Sequence, residues 1–206
     1  MSTLPEIWVI GDKGTGKSTL IQSISPYDES LLMKQQWLIS NKYYSANVSL
    51  LEKNIASVTS VPPTCEALVL VFNIQSESSY NLISHLIQSR DDSEHEPEIR
   101  LLVATHVDLA LEVETCEEGI NFPINPEYRC RPWLLNAIQV GIENGFEFVE
   151  TAPGVPKVDK ILDLDGEEQG MRRVIMALQS HMWPNSQPPI KEEVGNATGN
   201  EGRMGE

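Results

Sequence analysis

Positive charge is scarce in this sequence. Its 206 residues carry 15 Lys and Arg against 30 Asp and Glu, a formal net charge of -15 at pH 7. No arginine precedes Arg90, and no glycine lies between Gly16 and Gly119. A surface so acidic repels phosphate backbones and anionic lipid headgroups, which excludes nucleic-acid or membrane-surface binding as the main activity. Three cysteines (Cys65, Cys116, Cys130) form no C-x-x-C pair and cannot all pair with one another, so no disulfide framework is expected. The longest apolar run, residues 67–72, is far too short for a bilayer, and no membrane insertion is expected. Residues 1–5 lack a basic start followed by an apolar stretch, so no signal peptide is readable. Asn47-Val48-Ser49 and Asn196-Ala197-Thr198 match the glycosylation pattern, but without a secretory signal both read as chance. These absences point to a cytosolic protein with reduced thiols.

The charge imbalance is local. Residues 1–63 hold five acidic and five basic side chains, whereas residues 91–168 hold 19 acidic and five basic, a net of -14. The neutral N-terminal end is left open to a small anionic ligand. The 40% share of hydrophobic residues suffices for a buried core, and the length suits one domain.

The apolar pattern predicts strands alternating with helices. Residues 6–10 read as a strand and 17–24 as a helix, with Leu20, Ile21 and Ile24 at helical spacing and Pro26 closing it. Residues 36–53 follow period two, with Tyr44, Ala46, Val48 and Leu50 on the buried face. Residues 67–74 (ALVLVFNI) are continuously apolar, as in a strand covered on both faces. A helix over 78–89 presents Leu82, Ile83, Leu86 and Ile87, and 99–104 form another buried strand. Pro132 opens a helix that Gly145 stops, 146–150 make the next strand, and Met171, Val174, Ile175, Leu178 and Met182 trace a closing helix. The expected domain is residues 1–183, interrupted by acidic loops at 109–131 and 151–168. Residues 184–206, rich in Pro, Gly, Asn and Glu, read as a disordered tail. The fold class is α/β: a P-loop NTPase or small-GTPase-like doubly wound sheet in three αβα layers, with ligands at the C-terminal strand ends.

The strongest motif is Gly11-Asp12-Lys13-Gly14-Thr15-Gly16-Lys17-Ser18, a full G-x-x-x-x-G-K-[ST] between a strand and a helix. Glycines let successive N–H groups point inward at phosphate oxygens, beside the positive end of the helix dipole. Lys17 would reach the β- and γ-phosphates, and the Ser18 hydroxyl would ligate Mg2+. Thr19 follows directly on the helix. The expected ligand is therefore a nucleotide with Mg2+.

The base is harder to read. Thr105-His106-Val107-Asp108 stands where small GTPases carry N-K-x-D, and Asp108 retains the guanine-reading carboxylate. Thr105 cannot supply the amide, and His106 replaces the lysine whose stem covers the base. Thr151-Ala152-Pro153 stands where S-A-K belongs, so Ala152 could offer its N–H while Pro153 offers none. GTP or GDP is favoured over ATP only mildly, and an ordinary loop aspartate explains Asp108 equally well. Hydrolysis is not expected. The D-x-x-G that senses a γ-phosphate is absent for want of a glycine, and the first 89 residues supply no arginine clamp. The alternative is an active P-loop GTPase or small-molecule kinase using Lys17 and Ser18. The remaining histidines share no ligand spacing, and the acidic loops lack the Asp-rich spacing of an EF-hand.

The P-loop and the altered base motifs together resemble a Rab-like small GTPase with worn motifs. Two segments are more specific: Asn41-Lys42-Tyr43-Tyr44-Ser45-Ala46 and Gly145-Phe146-Glu147-Phe148-Val149-Glu150 resemble N-K-Y-Y-S-A and G-F-E-[LF]-V-E of the alpha- and gamma-adaptin-binding protein family. The resemblance covers residues 6–183. It implies a cytosolic pseudo-GTPase-like domain that binds clathrin adaptor subunits of the alpha- or gamma-adaptin type and assists vesicle-mediated protein transport. This chain departs in keeping its P-loop and in ending soon after the fold closes, as a short or truncated form would. The -14 stretch is then the natural face for a basic protein partner. Ile161-Leu162-Asp163-Leu164-Asp165 also approximates a clathrin-box peptide, although its apolar residues equally suit loop anchoring.

Overall fold

The computed structural model describes residues 4–25, 36–90, 95–111, 114–116, 119–121, 127–162 and 168–189. Eight strands occur among them: β1 Glu6–Gly11, β2 Gln36–Ser40, β3 Ser45–Asn54, β4 Cys65–Asn73, β5 Ile99–Thr105, β6 Glu114–Cys116, β7 Gly119–Asn121 and β8 Glu147–Glu150. The helices are α1 Lys17–Ile24, α2 Glu77–Ser89, α3 Val107–Ala110, α4 Pro132–Glu143, α5 Pro156–Asp159 and α6 Gly170–Ser180. Six strands make one mixed sheet in the order β2-β3-β1-β4-β5-β8, in which only β2 runs antiparallel. Strands β6 and β7 pair separately as a hairpin.

The continuous apolar run in β4 follows from burial on both sides. Leu68, Leu70 and Phe72 join Tyr80, Ile83 and Ile87 of α2 and Leu134 and Ala137 of α4. Ala67, Val69 and Val71 face the other way, onto Leu20 and Ile24 of α1 and Val174 and Leu178 of α6. Two apolar clusters on opposite faces make a three-layer α/β arrangement. Among the described residues, no helix is long and apolar enough to cross a membrane.

Several elements differ from the pattern read in the sequence. The period-two stretch over 36–53 is two strands, β2 and β3. The Asn41 carboxamide oxygen accepts the N–H groups of Tyr43 at 2.8 Å and Tyr44 at 2.9 Å, closing the turn between them. In α2 the buried stripe runs through Tyr80 rather than Leu82, which is 44% exposed, because Tyr80 meets Phe72 and Trp133. Met182 is 68% exposed; the closing helix ends at Ser180 and Trp183 fills the core instead. Part of the insertion over 109–131 is regular, in α3 and the β6–β7 hairpin, whereas Pro26, Pro123 and Pro126 lie outside the described residues. The loop over 151–168 is less polar than its composition suggests, since Ala152, Val158 and Leu162 are buried.

The two segments that carry the family resemblance have clear packing duties. Gly145 ends α4 with its N–H bonded to the Ile142 carbonyl at 3.0 Å, while that of Phe146 reaches Gly141 at 2.8 Å. Glu147 and Glu150 of β8 pair with Arg173 and Arg129. Tyr44 places its hydroxyl 2.8 Å from the carbonyls of Gln179 and His181, fastening the start of β3 to the end of α6. Past Trp183 the chain still pairs: Gln187 and Ser45 exchange N–H···O bonds of 2.7 and 2.9 Å, so the packed chain continues to residue 189. Residues 190–206 lie outside the described residues. Tyr44→Phe deletes one hydroxyl and leaves both buried carbonyls without it. Its expected cost is about 1–2 kcal/mol, read as a lowered urea midpoint with an unchanged slope.

Candidate phosphate-binding site

Strand β1 lies between β3 and β4 and runs parallel to both, so the chain leaves its C-terminal end at the switch point of the sheet. Gly11 is required there by close approach. A β-carbon on it would stand 2.3 Å from the Val71 carbonyl oxygen and 2.7 Å from Thr15 Oγ1. The loop then folds back on the Asp12 carbonyl, which accepts the Thr15 hydroxyl at 3.0 Å and Lys17 Nζ at 2.6 Å. Gly16 takes the left-handed conformation at φ 79 and opens α1 with no side-chain cap. The first-turn N–H groups and the positive helix end are thereby arranged for an anion.

Lys17 is 6% exposed, and its ammonium also lies 3.8 Å from Glu52 Oε1. The other Glu52 oxygen accepts the Ser18 hydroxyl at 2.9 Å. Glu52, near the C-terminal end of β3, was not singled out from the sequence. The signal that could have found it is an acid close to the end of a strand flanking the P-loop strand. Asn54 stands beyond it and accepts the Ala56 N–H at 2.9 Å, capping a single 3-10 turn, Ile55–Ser57.

A cleft of about 620 Å3 opens over this loop. Of the residues read from the sequence, Lys13, Gly14, Gly16, Lys17, Ser18, Thr19 and His106 line it, with Glu52 and Asn54 opposite. Gly11, Asp12 and Thr15 shape the loop from behind. His106 follows β5 at φ 62, the one non-glycine residue with positive φ among those described. The preceding Thr105 is wholly buried, its hydroxyl 2.8 Å from the Thr15 carbonyl, 3.0 Å from that of Phe72 and 2.9 Å from His106 Nδ1.

The base-side expectations fare differently. Asp108 lies in the first turn of α3 and does not line the cleft. The Ala152 N–H is already donated to Asp159 at 2.8 Å, and so is not free for a guanine oxygen. Asp159 is 8% exposed and also accepts the Thr151 hydroxyl at 3.0 Å and the Met171 N–H at 2.8 Å. This carboxylate, likewise unforeseen, ties the loop after β8 to the start of α6. Gly154 reaches α1, where a β-carbon would touch the Thr19 methyl at 3.5 Å.

Cys65, His95 and His181 have structural partners. Burial pushes the Cys65 thiol up to about 12, and its Sγ donates to the Ala67 carbonyl. His95 bonds the Cys65 carbonyl at 2.9 Å, and His181 stands 3.4 Å from Glu66. Among the described residues no three His, Cys, Asp or Glu side chains gather as a metal site. In the clathrin-box-like segment, Ile161 and Leu162 follow α5 in turns and Leu162 is buried, so its start is not an extended peptide. Residues 163–165 lie outside the described residues.

No family model matches the chain. Over 152 residues it is 27% identical to the alpha- and gamma-adaptin-binding protein p34 of Homo sapiens and of Pongo abelii, and 26% identical to that of Mus musculus. These similarities support kinship with the adaptin-binding proteins. The match covers 72% of this chain and 40% of each relative, so the chain spans well under half the length of the curated relatives it matches.

Asp159→Ala removes the acceptor of two N–H groups and a hydroxyl at a buried position. A loss of at least about 3 kcal/mol is expected, measured by urea unfolding.

Proposed function

We propose that this chain is a GTPase-like P-loop domain that binds a magnesium nucleotide, turns it over weakly or not at all, and serves clathrin adaptor complexes in vesicle-mediated transport. The observation that carries the nucleotide half is the built cradle: Gly11 where only a glycine fits, Gly16 in the left-handed conformation, an uncapped α1, and Lys17 and Ser18 beside Glu52 at the cleft. The P-loop between β1 and α1, at the switch point of a mixed sheet, supports the GTPase-like reading. The adaptor half rests on similarity to proteins named for binding alpha- and gamma-adaptin, carried over a shared stretch that is 40% of their length.

The residues divide the work. Backbone N–H groups at the start of α1 and the Lys17 ammonium receive phosphate oxygens. Ser18 and Glu52 offer adjacent hard oxygen donors of the kind Mg2+ prefers, so the chain fits the ion. When bound, Mg2+ neutralises phosphate charge and orients the β- and γ-oxygens. Acceleration is another matter. Beyond Glu52 the chain enters the 3-10 turn with Ile55 buried, where a sensing glycine would be needed, and no arginine occurs before Arg90. Binding that holds ground and transition states alike raises affinity without raising turnover.

Titration with labelled GTP in Mg2+ checks the nucleotide half. Binding at tens of micromolar or tighter is expected, weakened at least about tenfold by Lys17→Ala, the worth of a hydrogen bond to a charged group. No binding by GTP, GDP or ATP in that range overturns it. Phosphate release should stay at background in both proteins; Lys17-dependent release would establish an active GTPase or small-molecule kinase instead. For the adaptor half, capture of an alpha- or gamma-adaptin subunit is expected and should weaken as salt rises, given the net -14 over residues 91–168. A salt-independent affinity would count against the acidic face as the docking surface.

A further inference from the structure

We infer that the site is blind to the base: His106 offers its ring as a stacking platform for a purine, and among the described residues no group is free to read the purine edge. This rests on the nucleotide reading above and specifies its ligand class as a purine nucleoside polyphosphate of either kind.

The negative half comes from hydrogen bonds already made. Discrimination between guanine and adenine requires donors and acceptors aimed at the ring edge. The Thr105 hydroxyl is engaged by the Thr15 and Phe72 carbonyls and by His106 Nδ1. The Ala152 N–H and the Thr151 hydroxyl both go to Asp159. Pro153 has no N–H, and Asp108 sits in the first turn of α3, outside the lining of the cleft. With every other base-side group spent or missing, nothing holds a purine in the plane where one carboxylate could read it.

The positive half is the placement of His106. Its ring lines the phosphate cleft and packs on the P-loop, with Cε1 3.4 Å from where a β-carbon on Gly16 would stand. The Thr105 hydroxyl fixes one ring edge at 2.9 Å. A left-handed backbone at a non-glycine residue is costly, and such strain persists where the surroundings hold it in place. An aromatic face held beside a phosphate loop accepts any base, since every base has a π-face.

Calorimetric titration of the full chain with GTP, ATP and inorganic tripolyphosphate, all in Mg2+, tests this. The expected result is that GTP and ATP bind within about threefold of each other and about fivefold or more tighter than tripolyphosphate, the lower end of the measured worth of one stacked base. His106→Gly suits the positive φ, so its fold is retained. It should weaken GTP and ATP by the same factor of about five and tripolyphosphate by less than twofold. A GTP preference of thirtyfold or more over ATP overturns base-blindness and leaves the nucleotide site standing. A His106→Gly loss shared equally by tripolyphosphate overturns the stacking role. Failure of all three to bind overturns the phosphate site and this inference together.

Discussion

The Thr105 hydroxyl at the end of β5 touches three parts of the molecule at once: the Thr15 carbonyl of the P-loop, the Phe72 carbonyl of β4 and the ring of His106. A hydroxyl has one proton and two lone pairs, so it can donate to one carbonyl while accepting from the histidine. At a wholly buried position each such bond must be made, because an unpaired polar group there costs more than the bond itself gains. The loop over residues 11–18 is therefore tied to the sheet from below. Gly11, pressed against the Val71 carbonyl, fixes it from the other side.

The same economy of groups explains the asymmetry of the site. On the phosphate side, backbone N–H groups, Lys17 and Ser18 face a cleft of about 620 Å3. On the base side, equivalent groups are turned inward to hold the scaffold. Asp159 takes the N–H of Ala152 and the hydroxyl of Thr151, and with the N–H of Met171 it joins the loop after β8 to the start of α6. A group cannot donate the same proton to the scaffold and to a ligand. What stabilises the loop therefore removes a reader from the site.

The strand, loop and helix over residues 6–24 and the sheet were legible because their signals are local. The spacing of residues 11–18 and the double-sided apolar run in β4 each depend on neighbours a few residues away. Less legible were contacts joined only by the fold. Glu52 lies 34 residues from Ser18 in sequence, and period two sets it on the same face as Val48 and Leu50 without saying what it meets. Asp159 looks in sequence like one acid among several in residues 151–168, and its burial comes from the fold alone. The exchange of Leu82 for Tyr80 on the buried face of α2 has a similar origin. Helical spacing admits either position beside Ile83 and Ile87, and the aromatic partners Phe72 and Trp133 decide which residue is buried.

Glu52 gives the site a sign preference that the P-loop alone would not have. Its carboxylate stands 3.8 Å from the Lys17 ammonium and accepts from Ser18, so a polyphosphate seated on the loop brings negative charge against it. Two unit charges about 4 Å apart near a protein surface interact by about 4 kcal/mol, reduced here by salt and by the 39% exposure of Glu52. A bare anion seated there would meet attraction from Lys17 and the α1 N-terminus but repulsion from Glu52. A divalent cation between the phosphates and Glu52 reverses the second term, because both sets of oxygens then face positive charge. On the proposed nucleotide reading, the pairing of one buried lysine with one half-exposed glutamate therefore favours a metal–polyphosphate over a lone anion, by charge and whatever the base.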